Sequence, residues 1–253
     1  LRAFAELSSD GLIDIDGDTD LQSLADIWSS EAPKLFEVSL DAGEAQRRGA
    51  LYLSVLGIDE EAPAVALPDG PVRYHALALN ADGSPIEVMH SDEGFHLFFS
   101  EPPTEQLAWI VDSLFEPFPA GILTPVGPVV ANPAYADREA YETFSQDAYH
   151  GAVVWSWQQA MLAAGLDKQL KRSDLSPELR ATLNDAQERL WQAIDAVADA
   201  GGSELWGWSY EDGFRVRSFG QGEGSVTEGN AAQLWSTVYL GIPRPDRTEG
   251  AAE

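Results

Sequence analysis

Within residues 148–160, AYHGAVVWSWQQA, the chain sets Tyr149, His150, Trp155 and Trp157 where a buried helix ordinarily uses Leu, Ile and Val. Rings at this density either fill a core or offer flat faces to a ligand. A sugar suits such faces, because the axial C–H groups of a pyranose form an apolar surface that aromatic rings cover well. Chemistry on a sugar also needs carboxylates. In GGSELWGWSYEDG (201–213), Glu204 follows a predicted helix end and stands among Trp206, Trp208 and Tyr210. A carboxylate beside apolar rings loses hydration, which raises its pKa toward the range of a general acid or base. The plain alternative is a surface Glu at the start of a loop.

Two further stretches carry candidates. In SVTEGNAAQLWSTVYLG (225–241), Thr227 and Glu228 open a predicted helix. Glu228 there is well accounted for as negative charge at a helix N-terminus. Gln233 and Trp235 become ligand candidates if that end points into a cavity. EVMHSDEGFHLFF (87–99) sets His90 and Asp92 at the turn after a strand. Two polar groups at spacing two share a face and could hold adjacent sugar hydroxyls, although a His–Asp pair at a turn is equally at home as structure. They make a poor metal site: His96 is too far along, and no third ligand has a recognisable spacing.

Other chemistries are excluded. IDIDGDTDLQSLAD (13–26) is acidic like a calcium loop, yet counting from Asp14 the sixth position is Thr19 where Gly is required, and the twelfth is Ala25 where a bidentate Glu is required. No Gly-x-Ser-x-Gly nucleophile turn occurs, and GQGEG (220–224) lacks the strand and the Lys of a phosphate loop. With no Cys, thiol catalysis, disulfides and Cys-ligated metals are ruled out. No cofactor and no metal are expected.

The charge balance is the outlier: 42 Asp and Glu against 15 Lys and Arg give a formal net charge of -27. Nucleic acid and anionic membrane surfaces would repel such a chain. Lys34, Lys168 and Lys171 are the only lysines. That composition fits either a high-salt source, where counterions screen self-repulsion, or a genome favouring Arg codons. No apolar run reaches membrane-spanning length and no signal-peptide pattern opens the chain. The compartment stays open, the cytoplasm being the working expectation. The first residue is Leu1, which reads as a chain processed, trimmed or cut from something longer.

Helical periodicity must position these residues. It appears at 21–28, 43–57, 104–116, 138–149, 152–166, 176–200 and 228–241, with Ser176-Pro177 opening one helix and Gly201-Gly202 closing it. Between 71 and 100 the pattern changes: PVRYHALALN and SPIEVMHSD flank Asp82-Gly83, and HLFFS follows, which predicts an inserted β-hairpin. The Pro- and Gly-rich 121–133 and the aromatic 206–227 are predicted as long loops, and 246–253 as a polar tail of a single domain spanning 1–253.

Taken in order, LTPVGPVVANPAY (123–135), DAYHGAVVWSW (147–157), GGSELWGW (201–208) and NAAQLWS (230–236) resemble the C-terminal half of glycogen-debranching-type amylo-α-1,6-glucosidases, members of the six-hairpin glycosidases. The likeness covers roughly residues 85–243. It implies a mainly α fold, an (α/α)6 toroid present here as a partial barrel. It also implies a general base at Glu204, a terminal-sugar subsite at Tyr149, His150 and Trp155, and a last helix opening at Gln233, Trp235 and Ser236. Ser156 stands where the family often has Pro. The predicted helices are too few to close such a ring, so an N-terminal half-barrel chain, or a second copy, is expected as a partner and as the source of the general acid.

The reading is therefore an inverting, exo-acting hydrolase of α-linked gluco-oligosaccharides. Glu204 serves as base, Glu228 is in reserve, and Asp92 is the local choice of acid. Trp155, Trp157, Trp206 and Trp208 form the sugar platform, while Tyr149, His150, Gln233, Trp235 and His90 supply contacts. The alternatives are a carbohydrate-binding or scaffold protein without the acid, and a helical interaction protein whose Trp residues are all core.

Overall fold

The computed structural model describes residues 21–200, 203–220, 241, 242 and 244. The first half runs α1 (Leu21–Phe36), β1 (Glu37–Leu40), α2 (Ala42–Leu56), β2 (Val72–His75), β3 (Ala78–Leu79), β4 (Pro85–Ile86), β5 (Met89–His90), α3 (Glu93–Phe99) and α4 (Thr104–Leu114). The second half runs β6 (Leu123–Thr124), β7 (Gly127–Pro128), β8 (Ala131–Asn132), α5 (Arg138–Thr143), β9 (Val154–Trp155), α6 (Ser156–Leu170), α7 (Pro177–Ala196), β10 (Leu205–Tyr210) and β11 (Phe214–Ser218).

Local chemistry explains the helix ends. Asp41 accepts from the Glu44 N–H at 2.9 Å to open α2, and Gly57 closes it at φ 70°. Ser176 accepts from the Leu179 N–H at 3.1 Å with Pro177 in the first turn of α7.

The expected toroid is not what forms. Seven helices and eleven short strands are present among the described residues, the named strands pair with one another antiparallel, and no barrel is closed. Helices α3, α6, α7 and α4 pack in succession around one core that holds Tyr52, Phe115, Phe118, Trp206 and Trp208. Two expectations fail for local reasons. HLFFS continues α3, because Asp92 and Glu93 start a helix there. In the region expected to be a loop after 206, LWGWSY and FRVRS pair as a β-hairpin. Asp212 at φ 58° and Gly213 at φ 149° supply its turn. The Asp82-Gly83 hairpin does form, with only two residues on each side.

The Pro- and Gly-rich segment after Ile122 is buried almost throughout, so its backbone groups need partners. Side chains supply several. Asn132 donates to the carbonyls of Pro119 (2.9 Å) and Gly121 (2.8 Å) and accepts from the Ala134 N–H at 3.1 Å. The Tyr135 hydroxyl donates to Ala120 O at 2.7 Å, and Thr124 Oγ1 to Gly127 O at 2.7 Å. This sequence thus makes a loop that can lie inside a core and carry β9 against β10.

Candidate functional site

Strand β10 pairs with β9 so that Leu205 stands opposite Trp155 and Trp206 opposite Val154. That register brings Glu204 to the start of α6, where its backbone carbonyl accepts from both the N–H and the Oγ of Ser156 at 3.0 Å. Its carboxylate is buried, and Oε1 accepts from the Tyr149 hydroxyl at 2.7 Å. The Trp155 indole donates to Tyr149 O at 2.9 Å, and the two rings meet edge to face at 4.7 Å. His150, which is exposed, stacks on Trp155 with centroids 5.0 Å apart. Tyr149, His150, Trp155 and Glu204 are therefore brought together. Trp157 is half-buried two residues on, and its ring stands edge to face with Phe95 at 5.2 Å.

Trp206 and Trp208 require a correction. Being two residues apart on β10 they share a face, and that face is the core: each is 1% exposed. Their indole N–H groups donate at 2.8 Å to the carbonyls of Val126 and Ala152. Rings sealed and bonded in this way offer no platform to a sugar. Glu228, Gln233 and Trp235, with the helix expected around them, lie outside the described residues.

His90 and Asp92 open onto a cavity of about 860 Å³, within the range of small-molecule sites. The sequence reading missed most of its polar lining. His75, Glu93, His96, Gln106 and Lys168 line it too. His75 Nδ1 pairs with Glu93 Oε1, and Gln106 Nε2 lies 3.2 Å from His75 Nε2. Burial works to raise the Glu93 carboxyl, but the His75 hydrogen bond and the electrostatic influence of His75, His96 and His90 outweigh it and hold the group below its ordinary value. Burial pushes His96 the other way from a charged imidazole, lowering its pKa, with Glu93 opposing. A usable signal was present: three of the four histidines fall between residues 75 and 96.

The two sites meet at the first turn of α6. Gln158 Nε2 donates to Asp92 Oδ1 at 2.7 Å, while Ser156 two residues earlier holds Glu204. His90 Nδ1 stands 3.7 Å from Asp92 Oδ2, whose side chain is 46% exposed. One carboxylate is thus enclosed under rings and one reaches solvent, both tied to one helix start. Among the described residues no group of three or more His, Cys, Asp or Glu could hold a metal ion, and no helix is long and apolar enough to cross a membrane. No protein-family model matches this chain, and no curated protein matches it.

Proposed function

We propose that the protein hydrolyses α-linked gluco-oligosaccharides, with Glu204 as general base and Asp92 as general acid. The observation that carries this reading is the Tyr149–Glu204 hydrogen bond, which holds a buried carboxylate in one orientation beside the stacked rings of Trp155 and His150. A base must be held in one orientation to take a proton from water along a single line of attack. The acid has the opposite need. Asp92 is half-exposed, so it regains its proton from solvent after each turnover, while Gln158 fixes one of its oxygens.

In the inverting reaction, the acid protonates the glycosidic oxygen as that bond breaks. The base accepts a proton from the water that attacks the anomeric carbon on the opposite face. His150 and Trp157 give the sugar its outer contacts. This assignment rests on the pair of carboxylates at α6 and does not depend on a closed helical ring.

Carbohydrate binding without turnover is the second reading, favoured by the 6% exposure of Glu204, which suits a group that shapes a pocket. Reducing-sugar release from maltose, isomaltose and trehalose, with calorimetric binding in parallel, separates the two. The hydrolase reading expects release by the wild-type chain and loss of release with binding retained in Glu204→Gln. Binding without release in either protein supports the second reading, and neither binding nor release removes both.

A further inference from the structure

Helix α3 carries rings on its outer side that the reaction as described does not use. Phe98 and Phe99 are 37% and 71% exposed, and Phe95 is half-buried. Phe95 and Phe99 stand one helical turn apart, their centroids 6.3 Å apart and their planes 10° apart. Phe98 meets Phe99 edge to face at 5.0 Å. Phe95 in turn packs edge to face against Trp157 at 5.2 Å. Exposed rings gathered in this way form an apolar patch of the kind that marks a binding surface.

The strip of rings begins at the acid. Asp92 immediately precedes α3, and Phe95 and Phe99 follow it at i+3 and i+7, along one stripe of the helix. Trp157 is the neighbour of Gln158, which holds Asp92. Asp92 and Phe99 also line one cavity, together with Pro103, Glu101, Gln106 and Lys168. Glu101 is exposed and can accept hydrogen bonds, and Lys168, which gives one N–H to Ser100 O at 3.3 Å, has further donors. Polar groups thus flank the rings.

A ligand for this surface is apolar on its faces, polar at its edges and long enough to span more than one ring. Anionic polymers are repelled by a chain of net charge -27. A wholly apolar partner would take water from Lys168 and Glu101 without supplying hydrogen bonds in return. A glucan has the required pattern, since each pyranose offers a C–H face to a ring and hydroxyls to the groups beside it. We propose that Phe95 and Phe99 bind the leaving-group side of an α-glucan chain, successive sugar units lying along α3, so that longer oligosaccharides are preferred to disaccharides. The inference rests on the reading of Asp92 as general acid. The oxygen that Asp92 protonates departs with the rest of the chain, so those units lie on the Asp92 side of the bond, where the rings are.

Sulfur-linked maltotetraose and the sulfur-linked disaccharide resist hydrolysis, so calorimetry reads their binding apart from turnover. The wild-type chain is expected to bind the tetraose about tenfold or more tightly than the disaccharide, and Phe99→Ala to lose about fivefold or more in tetraose affinity. Phe99 is exposed enough for its truncation to leave the core intact, and Val55→Ala, at an exposed apolar position on α2, is the control with unchanged affinity. A tetraose affinity no higher than that of the disaccharide, one unchanged in Phe99→Ala, or one lowered equally in Val55→Ala overturns the proposal. A patch that instead covers a second copy of the chain also overturns it: sedimentation equilibrium would then show Phe99→Ala dissociating a dimer while tetraose affinity holds. Sugar release from ordinary maltotetraose judges the hydrolase reading separately. Release without a length preference in binding removes the ring strip alone. Length-dependent binding that Phe99→Ala abolishes, with no release, removes the hydrolase alone and leaves α3 as a glucan-binding surface.

Discussion

The Tyr149 hydroxyl donates to Glu204 Oε1 at 2.7 Å, joining residues 55 positions apart. The contact exists because β10 is laid against β9 beside a buried Pro- and Gly-rich loop, so that Glu204, just before β10, meets the start of α6. Orientation of the carboxylate is thus a product of sheet register.

Tyr149→Phe keeps the ring against Trp155 and deletes only the donor. Loss of a hydrogen bond to a buried carboxylate costs about 1.5–3 kcal/mol, read as a lower urea midpoint. Turnover falls by about tenfold or more in kcat with KM little changed, because substrate contacts remain while the base loses its orientation.

Trp208→Ala tests whether that indole is core. Removing a fully buried Trp is expected to cost about 3–5 kcal/mol by chemical denaturation. A variant of unchanged stability that has lost sugar binding would return Trp208 to the ligand.

At Gly94, a Cβ would stand 2.9 Å from Leu162 N and 3.1 Å from Met161 C, both backbone atoms of α6. Backbone cannot rotate aside, so Gly94→Ala moves α3 off α6. The expected cost is about 1–3 kcal/mol. Because Asp92 and Glu93 precede Gly94, the resonances of His75 and His96 shift in the variant while that of His150 holds.

At the His75–Glu93–His96 cluster, acid acts against the fold in two stages of the same sign. His96 is lowered from its ordinary 6.5 by burial, so the unfolded chain takes up the proton first. Stability is full above about pH 6.5 and declines as pH falls through the folded pKa. Glu93 is held below its ordinary 4.5, burial notwithstanding, by His75 and the neighbouring imidazoles. Its contribution is present above that value and lost as pH falls further. The denaturation free energy of the wild type minus that of His96→Gln should fall as pH drops below about 6.5. A difference that grows on acidification would reverse the assignment.

The helices with local caps were legible, since Asp41, Ser176 and Pro177 act within one turn of themselves, whereas Glu93–Phe99 was not read as a helix and the one expected over 138–149 ends at Thr143. The Tyr149, His150, Trp155 and Glu204 group was legible through its residue types, since ring density and a nearby carboxylate are visible in sequence. What Trp206 and Trp208 do was not, because an alternating LWGWSY strand looks the same whether its indole face meets solvent or a core. The toroid failed for a related reason: helical periodicity gives the elements but not the strands of two residues that set how they join. His75 and Glu93 escaped notice since their pairing crosses from β2 to α3, a contact that no spacing rule encodes.

The anomeric configuration of the first sugar released from maltose or isomaltose, followed by proton NMR, tests the account at its centre. A base at Glu204 acting on water predicts the β-anomer first, with release abolished in Glu204→Gln. Appearance of the α-anomer first, or undiminished release by Glu204→Gln, would contradict it.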